Sequence, residues 1–227
     1  MKITSQKRTD HTSEQLRLVV LGHVDHGKSS LIGRLLAEAG ALPQGKLEKV
    51  KEICRRTSRP FEYAFLLDAL KNERDQGITI DTARCFFKTR RRSYLINDAP
   101  GHVEFLKNTV TGAAGADAAL IVVDASEGIK ENSRRHGFVA SMLGIKQLAV
   151  VINKMDLIHY DRNAYEKLAS EFGDFLARLG IRPFSFIPVS AREGVNVVKR
   201  DRRTAWYRGP TLIEQIESFK KAPSPLK

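Results

Sequence analysis

The sequence predicts an α/β domain, a mostly parallel central sheet with helices on both faces. Apolar runs of strand length alternate with longer segments of helical period, the order that a sheet covered by helices requires. The strand-like runs at 16–22, 117–125 and 146–153 are nearly continuous in apolar residues, as buried strands are. A glycine-containing loop follows the first of them and opens the first helical segment. In all, 227 residues suffice for one main domain with a substantial core.

Each element has its own signal. "LRLVVLG" (16–22) reads as the first buried strand, and residues 28–39 as a helix with Leu31, Ile32, Leu35 and Leu36 on one face. Residues 40–75 are polar and mixed, and their elements are not assigned. "ITIDTARCFF" and "SYLINDAP" read as two strands joined by the basic "KTRRR", an exposed hairpin tip. "DAALIVVDA" and "KQLAVVINKMD" are further buried strands, each followed by a segment of helix length, and "FSFIPVSA" is the last strand. "GPTLIEQIESF" reads as a closing helix, with Pro210 near its start and Leu212, Ile213 and Ile216 on one face. The expected organisation is a polar N-terminal tail (1–15), a nucleotide-binding domain (16–218) and a linker toward further domains (219–227).

Composition narrows the function classes. Cys54 and Cys85 lie too far apart for a CxxC pair and read as reduced thiols of an intracellular protein. The N-terminus lacks a signal-like apolar stretch, and no apolar run reaches the length of a membrane span, so a soluble, cytoplasmic protein without membrane partners is expected. The net charge of +12 favours a polyanion, whether RNA, an anionic nucleotide or an acidic partner, and equally fits a solvated basic surface. The basic clusters at 88–92 and 199–203 have no interleaved aromatics for stacking on bases.

"GHVDHGKS" (22–29) fits G-x-x-x-x-G-K-[ST] between a buried strand and a helix, the setting in which that pattern cradles phosphates. Loop N–H groups and the positive end of the helix dipole then face the anion. The expected cradle is Gly22, Val24, Asp25, His26, Gly27, Lys28, Ser29 and Ser30, with Lys28 on the terminal phosphates and the Ser29 hydroxyl on Mg²⁺. This is the pattern of a P-loop NTPase.

"NKMD" (153–156) ends another buried strand on the same edge of the sheet, where ligands of such folds lie. The Asp156 carboxylate can accept both N1–H and N2–H of guanine, whereas adenine would leave it unpaired at a cost of about 1–3 kcal/mol. Lys154 has an aliphatic stem suited to the base face, and Asn153 can tie this loop to the phosphate loop. Read alone, Asn-Lys-x-Asp also fits an ordinary turn; after a phosphate loop in this order it points to a guanine-binding G domain. "DAPG" (98–101) offers Asp98 for Mg²⁺ through water and the Gly101 N–H for a γ-phosphate. Thr79 of "GITID" could close on Mg²⁺ and that phosphate, although on its own it reads as a β-branched strand residue. "SAR" (Ser190, Ala191, Arg192) can present N–H groups to guanine O6. Loss of the γ-phosphate would release the 79 and 98–101 segments, the behaviour of a GTP/GDP switch.

"GHVDHGKSSLIGRLL", "ERDQGITID", "NDAPGHVEFLKNTVTGAAGADAALIVVDA" and "VINKMDL" resemble the GTP-binding domain of the elongation factor Tu family, over roughly residues 16–218. The resemblance implies that Ser29 and Thr79 hold Mg²⁺, that His102 orients the attacking water as the catalytic residue, and that Val24 and Ile78 form an apolar gate around it. Within the family, "KENSRRHGFVASMLGIKQ", "NKMDLIHYD" and "AWYRGPTLIEQIE" are similar to the GTPase subunit of bacterial heterodimeric sulfate adenylyltransferase. That similarity implies a regulatory GTPase promoting sulfate activation to adenosine 5′-phosphosulfate, with the enzyme's catalytic subunit as partner. "LDALKNER" is shared with archaeal and eukaryotic translation factors, so an elongation GTPase stays open, as does a nucleotide-gated binding module with negligible hydrolysis. Ser30 stands in place of the family's usual threonine, and Arg192 where an apolar residue is common. The family's two β-barrel domains are not part of these 227 residues.

Overall fold

The computed structural model describes residues 15–74, 83–89, 91–98 and 115–221, with backbone alone at 70–74, 83 and 98. Its strands are β1 (Leu16–Gly22), β2 (Ala83–Lys88), β3 (Ser93–Asp98), β4 (Ala118–Asp124), β5 (Leu148–Asn153) and β6 (Phe186–Pro188). They form one sheet in the order β2-β3-β1-β4-β5-β6. β2 runs antiparallel to β3, and the other pairings are parallel. The helices described are α1 (Lys28–Glu38), α2 (Lys46–Arg56), α3 (Ala64–Arg74), α4 (Glu131–Met142), α5 (Arg162–Arg178) and α6 (Leu212–Ser218).

The apolar runs are continuous because the sheet is covered twice. Leu16, Leu18 and Val20 of β1 join α1 and α6 in one core, while Val19 and Leu21 join α4 and α5 in the other. On α1 the predicted face, Leu31, Ile32, Leu35 and Leu36, is at most 2% exposed. At about 1.5–3 kcal/mol for each fully buried side chain, that face outweighs helix propensity in holding α1 to the sheet.

Residues 40–75, unassigned from sequence, supply α2 and α3. Val50, Cys54 and Leu66 form a small core there, joined by Leu47, Phe61, Tyr63 and Phe65. The spacing of Leu47, Val50 and Cys54 is helical, but the lysines and glutamates between them mask the period.

The last strand is shorter than expected, three residues rather than 184–191. After Pro188 the chain turns away: Ser190 bridges to Val195, and Asn196 Nδ2 donates to the Pro188 carbonyl (2.8 Å) and to Thr204 Oγ1 (2.9 Å). α6 begins after Pro210 at a capping box in which the Thr211 N–H donates to Glu214 Oε2 at 2.8 Å and the Glu214 N–H to Thr211 Oγ1. Leu212 and Ile216 are buried, and Ile213 partly so. Lys88 and Arg91 at the β2–β3 tip are exposed, and Cys54 and Cys85 are buried and not joined in a disulfide. Among the described residues no helix is long and apolar enough to cross a membrane.

Candidate functional site

The loop after β1 is shaped by backbone that side chains resist. At Gly22 a Cβ would stand 2.6 Å from the Val122 carbonyl, so β1 leaves the sheet pressed against β4. Asp25 (φ 66°) and Gly27 (φ 83°) are left-handed, which curls the loop back over the start of α1. Gly27 is the N-cap and makes no side-chain cap. The start of α1 at Lys28 therefore abuts the loop, where the first-turn N–H groups and the positive end of the helix suit an anion. Lys28 is 8% exposed and donates from Nζ to the carbonyls of Gly22 (2.8 Å) and His23 (3.0 Å). His26, 1% exposed, hydrogen-bonds through Nδ1 to the Val122 carbonyl at 3.0 Å. Burial pushes its pKa down, against the opposing pull of that carbonyl and of Asp124 and Glu127.

The second half of the site grows from the ends of β4 and β5. Asn153, 1% exposed, donates from Nδ2 to the His26 carbonyl (2.9 Å), and its Oδ1 accepts the Ala191 N–H (3.0 Å). A single amide thus ties the phosphate-type loop, the β5 end and the loop after β6 into one rigid edge. Lys154 (φ 61°) turns out of the strand and places Nζ 2.6 Å from Asp124 Oδ2. Burial pushes the Asp124 carboxyl up, but Lys154 and two hydrogen bonds from Ser126 outweigh it and hold the group below its ordinary range. Asp156 lies on a short 3₁₀ turn (Met155–Ile158), and its Oδ1 accepts the Ser190 hydroxyl at 2.6 Å.

The structure therefore gathers the residues singled out from sequence at the carboxyl edge of β1, β4, β5 and β6. Gly22, Val24, Asp25, His26, Gly27, Lys28, Ser29 and Ser30 make one wall, and Asn153, Lys154, Asp156, Ser190 and Ala191 the other. Arg192 is exposed, and its carbonyl accepts Arg34 Nη1 at 3.2 Å. Ile78, Thr79, Gly101 and His102 lie outside the described residues; Asp98 is placed as the last residue of β3, paired with Val20, with its side chain outside the description.

Two residues near this edge escaped the sequence reading. Asp124 is an acid ending an apolar strand, a position that reads as the start of a turn. His136 on α4 is 7% exposed, and burial, then the charges of Lys28, His26 and His23, lower its pKa to about 3.

Comparison with known proteins gives this edge a context. A sequence profile described as "Elongation factor Tu GTP binding domain" matches residues 13–221. Elongation factor 1-alpha of Thermococcus gammatolerans is 44% identical over 93% of this chain, and that of Pyrococcus horikoshii likewise; the chain spans about half, 49%, of each relative. Among solved structures, sup35 complexed with GDP aligns over 96% of this chain and 48% of its own, with TM-score 0.64 and 26% identity. The S. cerevisiae Ski7 GTPase-like domain bound to GTP aligns over 90% of this chain and 49% of its own, with TM-score 0.74 and 22% identity, a likeness of fold alone. The two elongation factor 1-alpha relatives favour the elongation-factor alternative over the sulfate-activation reading, and neither supports the latter. The chain is thus a GTP-binding GTPase domain of translation-factor type, and it belongs to the elongation factor Tu GTP-binding domain family.

Proposed function

We propose that the chain is the Mg²⁺-dependent, GTP-hydrolysing switch domain of a cytoplasmic elongation factor of the 1-alpha type. The observation that carries the reading is the Asn153 amide, which fixes the loop expected to hold phosphates and the loops expected to hold the base in one frame. In that frame Gly22 to Ser30 cradle the phosphates, the Asp156 carboxylate accepts from guanine, Lys154 covers the base face, and the Ser190–Arg192 backbone meets guanine O6. The similarity to elongation factor 1-alpha supports the client assignment, and the net charge of +12 suits an RNA-rich partner such as the ribosome.

The donor chemistry fits Mg²⁺, a hard cation that prefers oxygen: the Ser29 hydroxyl stands at the second position of α1, beside the loop. Ser29 and Thr79 would hold it directly and Asp98 through water, and when bound it supplies neutralisation of charge on the β- and γ-phosphate oxygens. His102, next to Gly101, orients the attacking water; phosphoryl transfer asks the protein for positioning and electrostatics rather than covalent chemistry.

The test is phosphate release from GTP by the purified chain, and by a longer chain carrying the following domains, with ribosomes or with a sulfate-adenylylating catalytic subunit. Ribosome-stimulated turnover, lost in His102→Ala with GTP binding retained, is the expected result. Stimulation by the sulfate-activating subunit and not by ribosomes would restore the sulfate-activation reading. No turnover under any condition would leave a nucleotide-gated binding module.

A further inference from the structure

The turn that carries Asp156 is held in unfavourable backbone. Lys154 (φ 61°), His159 (φ 51°) and Tyr160 (φ 57°) are all left-handed, though none is glycine. Such a conformation persists only where its surroundings over-determine it. What surrounds it is an excursion of the chain after β6. The Glu193 N–H donates to Ser190 Oγ at 3.1 Å, and Ser190 Oγ in turn donates to Asp156 Oδ1. The Glu193 carboxylate accepts the Tyr160 hydroxyl at 2.6 Å and pairs with the Arg203 guanidinium. Arg203 also lies over the Tyr160 ring, 5.0 Å from its centroid, and grips Asp201 through Nε and Nη2, both at 2.9 Å.

We propose that Tyr160, Glu193 and Arg203 are positioning residues for base selection, a strap that locks the strained 154–160 turn to the 190–193 loop and so fixes the Asp156 carboxylate. The inference rests on the reading of Asp156 as the acceptor for guanine. Ser190 occupies one carboxylate oxygen of Asp156, which leaves Oδ2 and the remaining lone pair of Oδ1 to face N1–H and N2–H. Two parallel hydrogen bonds tolerate little rotation of the carboxylate, so its discrimination depends on how firmly the turn is held. On the inner side Met155 anchors the turn, buried in the core beside α5 and donating its N–H to the Val189 carbonyl at 3.1 Å; at the outer end the Tyr160–Glu193 bond ties the turn to the 190–193 loop. Burial, then the bond to Glu193, pushes the Tyr160 phenol above its ordinary range, so it remains a donor. The pairs are exposed at the Glu193 and Arg203 ends, where ion pairs add little to global stability. A role in holding the fold is thus a poor account of them.

The experiment measures dissociation constants for GDP and for inosine diphosphate, which lacks the 2-amino group, in Tyr160→Phe, Glu193→Ala, Glu193→Gln, Arg203→Ala and Asp156→Ala, together with thermal unfolding of each nucleotide-free protein. The ratio of the two constants reports the grip of Asp156 on N2–H. Tyr160→Phe and Glu193→Ala are expected to reduce that ratio about threefold to tenfold, the range of one charge-assisted hydrogen bond. Glu193→Gln should recover part of it, since its amide oxygen still accepts. A merely structural role would shift unfolding and leave the ratio alone. A ratio unchanged in Tyr160→Phe and Glu193→Ala, while Asp156→Ala collapses it, overturns the strap and spares the guanine reading. A ratio unmoved in Asp156→Ala overturns both.

Discussion

Gly27 shows how a single hydrogen in place of a methyl shapes the site. Its φ of 83° suits glycine, and an added Cβ would lie 2.5 Å from Asn153 Nδ2. Gly27→Ala should therefore strain the loop and push Asn153 off the His26 carbonyl. The expected outcome is a loss of GDP affinity of about tenfold or more with a stability cost of about 1–3 kcal/mol, read by calorimetric titration and urea unfolding. The loop itself was legible in the sequence because its chemistry is local: eight consecutive residues carry the pattern. Asp124 was not, because its meaning comes from Lys154, a residue thirty positions on in another loop. The strap was hidden for the same reason, since Tyr160 and Glu193 meet only after β6 and the turn that follows have formed.

At the scale of elements, α1 meets the loop before α3 at a close approach that only glycine allows. A Cβ at Gly33 would fall on the Tyr63 carbonyl, and Arg34 beside it lies over the Tyr63 ring, 4.5 Å from the centroid. An alanine in mid-helix gains about 1 kcal/mol of propensity over glycine, but here overpacking of about 1–3 kcal/mol opposes it. Gly33→Ala is accordingly expected to lower the urea midpoint, and a raised midpoint would contradict this account of how α1 meets the loop before α3. The sheet and α1 were readable because β1, β4 and β5 are apolar on both faces and α1 keeps a 3.6-residue period. α2 was not, because Leu47, Val50 and Cys54 stand among Lys, Glu and Arg, and the fourth apolar residue, Ile53, is exposed and breaks the stripe. The shortening of β6 was equally invisible, since it follows from the Asn196 side chain taking the Pro188 carbonyl.

The whole molecule carries the consequence of its buried histidines. His136, with a pKa of about 3, stays neutral in the native state where an unfolded chain would bind protons below about pH 6.5, and the lowered pKa of His26 acts in the same direction. Stability is therefore fully present above pH 6.5 and falls as the pH drops toward 3, because the unfolded state takes up protons that the native state refuses. For His136 alone the loss between pH 6.5 and 5 is about 2 kcal/mol. Urea unfolding at pH 7.5, 6 and 5 should show this slope, and it should flatten in His136→Gln.

The same edge of the sheet that buries these histidines carries the central claim, that two loops tied by Asn153 form a site selective for guanine nucleotides. Equilibrium binding of GDP and of ADP to the purified chain in the presence of Mg²⁺ tests it most directly. The account predicts GDP tighter by about tenfold to a hundredfold, because adenine would leave the Asp156 carboxylate without a donor. Comparable affinities for the two nucleotides would contradict it.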